Sequence, residues 1–170
     1  MRQEITIAAN DSGRLWTDDL ERWNALCRPE GCVVCRDDEL PSGMYVLAET
    51  PMVEAMSMES VPLPGYVCVT SNKHAVEPFD LSVEDQRWFW TDAMLVAKGV
   101  ADAVRPAKMN YEIHGNTIPH LHMHLFPRTA GDAYVGYPIH HRVEFEHSAE
   151  DLRGLKTAIV APLREAERLA

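Results

Sequence analysis

The segment Pro119-His120-Leu121-His122-Met123-His124-Leu125-Phe126-Pro127-Arg128 constrains this chain more than any other. Imidazoles and apolar side chains alternate without a break from His120 to Leu125. That period marks a strand, whose successive side chains point to opposite faces and whose residues two apart share a face, about 6.5–7 Å apart. The pattern predicts Leu121, Met123 and Leu125 in a core, with His120, His122 and His124 in a row on the opposite face. Packing alone does not select such a row, because a buried face takes Val or Ile and a solvated face takes Thr, Lys or Glu. Three uses stand open. The row is a polar face of surface histidines, a metal site, or a phosphoryl site. In a metal site, two imidazoles two residues apart chelate zinc with a ligand from elsewhere. In a phosphoryl site, one imidazole attacks phosphorus while its neighbours offset charge on the oxygens.

The rest of the chain supplies a frame for this strand. Thr17 can cap a first helix to about Cys27, with Leu20, Trp23, Leu26 and Cys27 at helical spacing, ended by Pro29 and Gly31. Met44–Ala48 and Met52–Met56 read as an antiparallel pair joined by Glu49-Thr50-Pro51, and Gly65–Thr70 as a third strand. Ser82, with Asp85 three residues on, opens the longest helix, which Trp88, Phe89, Ala93, Leu95, Val96 and Val100 give a wide apolar face until Pro106 stops it. Met109–Ile113 and His120–Phe126 are the fourth and fifth strands, and Ser148 starts a last helix carrying Leu152, Leu155, Ile159 and Leu163. Gly131 to His147 has little periodicity and reads as an extended surface segment. The order predicts an α+β fold: a five-stranded antiparallel sheet in meander order, a long helix between strands three and four, and N- and C-terminal helices.

Length and charge narrow the function. At 170 residues the chain suits one domain spanning 1–170. A net charge of −10 argues against sequence-independent nucleic-acid binding, which needs a basic surface. No apolar run approaches the roughly 20 residues of a membrane span. Met1 to Trp16 lacks the apolar core of a secretory signal, so the expected location is the cytoplasm. Cys27 and Cys68 lie in apolar-patterned segments and read as buried core thiols. Cys32 and Cys35 form a C-x-x-C pair, a weak signal by itself and equally a reduced thiol pair.

The alternating run with its Pro127-Arg128 resembles the signature of the histidine-triad (HIT) superfamily of nucleotide hydrolases and nucleotidyltransferases. Asn110-Tyr111-Glu112 and Gly115-Asn116-Thr117 resemble that family's approach to the triad, and Pro64-Gly65-Tyr66-Val67 with Lys73-His74 resembles its earlier segment. The resemblance runs from about Gly31 to Asp132. It implies a HIT-like fold and a homodimer in which two sheets join edge to edge. It also implies an enzyme acting at the α-phosphate of a nucleotide such as a dinucleoside polyphosphate or a nucleoside phosphoramidate. His122 would be the nucleophile, forming a covalent nucleotidyl-histidine, with His124, Asn116 and Thr117 at the phosphate and Asn110 at the nucleoside. A neutral imidazole is required for that attack, and an ordinary histidine, with a pKa of about 6.5, supplies it at pH 7. No P-loop or acidic metal cluster is apparent, which argues against magnesium-dependent kinase-type transfer. The resemblance further implies a structural zinc held by Cys32, Cys35, His74 and His120.

One departure bears on the substrate. Where family members place Asp or Asn for the ribose hydroxyls, this chain has Met58, a poor acceptor, flanked by Ser57 and Glu59 as substitutes. His114, His140, His141 and His147 have no family role and default to the surface. Trp88, Phe89 and Trp90 suit an interface, with core packing expected for at least two of them. Two other functions remain open: a zinc hydrolase using the triad as ligands, and a non-catalytic nucleotide-binding module.

Overall fold

The computed structural model of the protein describes residues 19–36, 42–134, 136–139 and 142–170. Five strands build one antiparallel sheet: β1 (Met44–Glu49), β2 (Val53–Met58), β4 (Val67–Ser71), β5 (Lys108–Glu112) and β6 (His122–Arg128). Two short strands, β3 (Ser60–Val61) and β7 (Phe145–Glu146), pair separately. Helix α1 covers Leu20–Leu26, α2 covers Val83–Val104 and α3 covers Ala149–Glu165.

The sheet order is β1-β2-β4-β6-β5, which corrects the expected meander. After α2 the chain returns to the outer edge as β5 and then folds back inside it as β6. The triad strand is therefore hydrogen-bonded on both sides, to β4 and to β5. It also starts two residues later than its alternation suggests, because the residues before it serve other partners. Leu121 N–H donates to Ala75 O, and the His120 ring turns away from the ladder.

One face of the sheet is covered by α2 and α3. Val53, Ala55, Val67, Val69, Met123 and Leu125 point into that layer and meet Phe89, Val96, Val100 and Ile159, all essentially dry. Ser82 caps α2 by accepting from Asp85 N–H, and Ser148 caps α3 in a reciprocal capping box with Asp151. Gly99 is required where the helices cross, since a Cβ there would lie 2.5 Å from Ala158 O and Ile159 Cα. Of the three aromatics on α2, only Phe89 enters the core, contrary to expectation. Trp88 and Trp90 are exposed, and the Arg168 guanidinium lies 4.2 Å from the Trp88 ring centroid. Asp92 explains that guanidinium: it is fully buried, accepts two bonds from Arg168 and a third from Thr50, and so ties α2 to the end of the chain.

The other face carries a second, smaller cluster: Val61, Leu63, Tyr66, Phe126, Tyr134 and Ile139, with Phe145 against it. The described residues between Gly131 and His147 are thus not a bare surface segment. Arg128 organises its start, bonding Asp132 through Nε and Nη2 and reaching Tyr134 O and Tyr137 O. His147, expected at the surface, is buried: its Nδ1–H donates to Met58 O and its Nε2 accepts from Gly65 N–H. Gly65 needs the left-handed backbone, at φ +76, and a Cβ there would strike Val104. His140 and His141 lie outside the described residues, as does Thr17; Asp19 caps α1 by accepting from Arg22 N–H.

Candidate functional site

Pairing register sets the composition of the open face. Thr70 lies opposite His122, Cys68 opposite His124 and Met56, and Glu112 opposite His124 from the other side. Met44 and Met58 pair at the far end, with Val46 opposite Met56. Side chains alternate, so Met44, Val46, Met56, Met58, Cys68, Thr70, His122, His124, Asn110 and Glu112 share one face. Cys68 is therefore a half-buried group beside the triad rather than a core thiol, and Cys27 is half-buried at the end of α1.

The three histidines divide into two uses. His122 is half-buried, and its Nδ1 sits 2.6 Å from the carbonyl of His120. A carbonyl only accepts, so Nδ1 carries the hydrogen and, in the neutral ring, Nε2 carries the lone pair. His124 lies 4.9 Å away between ring centroids, its own ring packed between Tyr66 and Phe126. Tyr66 Oη stands 2.8 Å from His124 Nδ1. Burial pushes the Tyr66 phenol well above its ordinary range, so it remains a phenol at any physiological pH.

His120 leaves this face and joins Cys32, Cys35 and His74. The four ligand atoms lie within 4.8 Å of one another. Cys32 Sγ is 3.3 Å from His120 Nδ1, and Cys35 Sγ is 3.2 Å from His74 Nδ1 and 3.6 Å from His120 Nδ1. A tetrahedral zinc with its usual bond lengths needs ligand edges of about 3.3–3.8 Å. Both imidazoles are set for coordination: His120 Nε2–H donates to Ser71 O and His74 Nε2–H donates to Cys27 O, which turns both Nδ1 lone pairs toward the thiols. Burial, with the neighbouring His74 and His122 adding to it, lowers the His120 pKa and favours the neutral ring a metal needs. Burial and the adjacent Cys32 push the Cys35 thiol up to about 11, so a cation is what would make the pair thiolate. The donor set fits zinc.

The remaining expected residues separate. Asn116 and Thr117 are half-buried in the turn before the triad, and Asn110 is half-buried on the open face across from Phe126. Ser57 is not brought to that face: its register places it on the helix side, 1 % exposed, with its hydroxyl donated to Tyr66 O. Glu59 is exposed and accepts from the Tyr45 hydroxyl at 2.5 Å. No role beside the triad was expected for Tyr66, for His147 or for the Glu112–His114 pair. The first and last were readable in principle, since register across β4, β6 and β5 brings each beside His124.

A model of the HIT domain matches residues 42–131. Solved structures agree in fold. A histidine triad protein of Bradyrhizobium japonicum is 22 % identical with a TM-score of 0.64, over 73 % of this chain and 96 % of its own. One from Marinobacter aquaeolei is 21 % identical with a TM-score of 0.63, over 76 % and 93 %. A zinc-bound histidine triad family protein of Mycobacterium smegmatis is 20 % identical with a TM-score of 0.58, over 82 % and 99 %. No curated protein matches the chain. HIT proteins generally act on nucleotides and often form dimers; they include hydrolases and transferases as well as non-catalytic members. No helix among the described residues is long and apolar enough to cross a membrane. With His122 and His124 on β6, His120 just ahead of it, helix α2 before β5 and the matching span, the chain belongs to the HIT domain family.

Proposed function

We propose that the protein is a nucleotide hydrolase or nucleotidyltransferase in which His122 Nε2 attacks the α-phosphorus. The observation that carries this reading is the bond from His122 Nδ1 to the His120 carbonyl, which fixes the tautomer with the lone pair on Nε2. The P–N bond forms as the bond to the leaving group breaks, and water or another acceptor then releases the nucleotide from His122. His124 supports the charge that builds on the phosphoryl oxygens. If the Tyr66 phenol donates to His124 Nδ1, His124 Nε2 carries the N–H that a phosphate oxygen accepts. Asn116 and Thr117 add polar groups from the turn. The base lies against the apolar floor of Met44, Met56 and Met58, bordered by Asn110.

With Met58 on that floor and Ser57 turned inward, the ribose hydroxyls have no carboxylate or amide at the expected position. Ribo- and deoxyribonucleotides are therefore turned over with similar kcat/KM. Cys32, Cys35, His74 and His120 hold a structural zinc that, when bound, cross-links the N-terminal segment to the start of β6. The chain works as a homodimer and resides in the cytoplasm.

The test is a chemical trap. The protein is mixed with a panel of α-labelled dinucleoside polyphosphates and nucleoside phosphoramidates, quenched, and assayed for an acid-labile phosphohistidine. Label on the wild type that is absent from His122→Ala supports the reading. No label with any member of the panel overturns it and favours a binding module.

A further inference from the structure

We propose that Glu112 and His114 are a proton-transfer pair that serves the leaving group and then the incoming water. This rests on the nucleotidyl-transfer reading above. Glu112 ends β5 directly across from His124, on the open face of the sheet. Its carboxylate is mostly enclosed, with 14 % of the side chain exposed, while the His114 side chain is 43 % exposed. The two meet at 2.9 Å, His114 Nε2 to Glu112 Oε2. The His114 ring centroid lies 5.9 Å from that of His124, which is in turn 4.9 Å from that of His122. Gly115 follows at φ +67, and this left-handed turn at the exit of β5 keeps His114 at the rim of the triad face.

Chemistry distinguishes this pair from an ordinary surface contact. A carboxylate on the face that receives a phosphate is repulsive unless a cation accompanies it, and His114 is that cation whenever it holds the proton it is to transfer. An imidazole backed by a carboxylate is also the usual construction of a general acid or base: the carboxylate holds one nitrogen and the other exchanges protons. Glu112 holds Nε2, so His114 Nδ1 is the exchanging atom. In the first step the His122 Nε2–P bond forms, the bond from phosphorus to the leaving group breaks, and the leaving atom takes the proton from His114. In the second, water attacks phosphorus, the N–P bond breaks, and the water's proton returns to His114. The pair is thereby reset.

The experiment compares two nucleoside 5′-phosphoryl substrates in single turnover, reading the rate at which His122 becomes labelled. One carries a nitrophenyl ester, whose leaving group departs as a stable anion; the other is an alkyl phosphoramidate, whose amine must be protonated to leave. In His114→Gln, labelling from the phosphoramidate falls about a hundredfold or more while labelling from the nitrophenyl ester falls less than about threefold. Glu112→Gln gives a smaller loss with the same dependence on leaving group. Equal losses on both substrates, or none on either, overturn the pair's role. Absence of label from the nitrophenyl ester in the wild type sinks the His122 reading instead, so the two failures are distinct.

Discussion

The two faces of β6 answer to different demands. Met123 and Leu125 are fully buried beneath α2 and α3, in a layer whose cohesion is apolar contact. His122, His124 and Phe126, one residue out of phase, face a layer in which a small apolar cluster around Tyr66 and Phe126 is joined by polar bonds: His122 to His120 O, Tyr66 to His124, Arg128 to Asp132. On the proposed reading, the pleat of one strand separates stability from chemistry. Substitutions on the first face cost folding, and those on the second cost orientation.

The widest separation comes from neighbouring residues. His122→Ala abolishes turnover, by a thousandfold or more, with a melting temperature close to wild type. Met123→Ala costs about 2–5 kcal/mol of stability, and its remaining folded fraction keeps its turnover. Matched calorimetry and kinetics on the two proteins check this, and equal destabilisation would erase the division between the faces. Next comes the metal cluster. Cys32→Ser loses bound zinc and most of the protection of residues 20–35 against proteolysis, read by metal analysis and limited digestion of zinc-loaded protein. Chelation of the wild type reproduces both changes.

Tyr66→Phe is a smaller change on the open face. Turnover falls about tenfold while stability drops by about 1–3 kcal/mol, because His124 Nδ1 loses its partner in a buried setting. Nitrogen NMR of His124 then reports a change of tautomer, which a purely structural role would not produce. The smallest effect is at Asp132, whose pKa is held low first by its bonds from Arg128. A depressed carboxylate stabilises the fold above its unfolded value and loses that contribution as pH falls through the folded one. Asp132→Asn therefore costs at most about 1 kcal/mol at pH 7, because solvent screens the pair, and flattens the loss of stability on the acid side, as denaturant titrations across pH would show.

Much of the apolar-core face was legible in the sequence, because its organisation is local. The alternation gave the two faces from Leu121 to Leu125, though not the place of His120, and Ser82 and Ser148 marked the helix starts through backbone bonds that lie within one turn. The four-residue cluster off the open face was legible because a motif names its members, Cys32, Cys35, His74 and His120. The open face was illegible where partners are remote. Glu144 N–H donates to Val61 O, and His147 bonds Met58 and Gly65 more than eighty positions earlier, so no window of sequence contains both ends. Ser57 failed for a different reason. Its neighbour Met58 points to the open face, and a shift of one residue on a strand reverses the side chain.

The carbonyl of His120 has one more consequence. The residue whose ring belongs to the sulfur-lined cluster is also the residue whose backbone oxygen clamps the His122 imidazole. Any movement that reseats residue 120 therefore swings the His122 ring with no intermediary. On the proposed reading, changes in the cysteine-bearing arm retune His122 without altering any side chain assigned to the nucleotide.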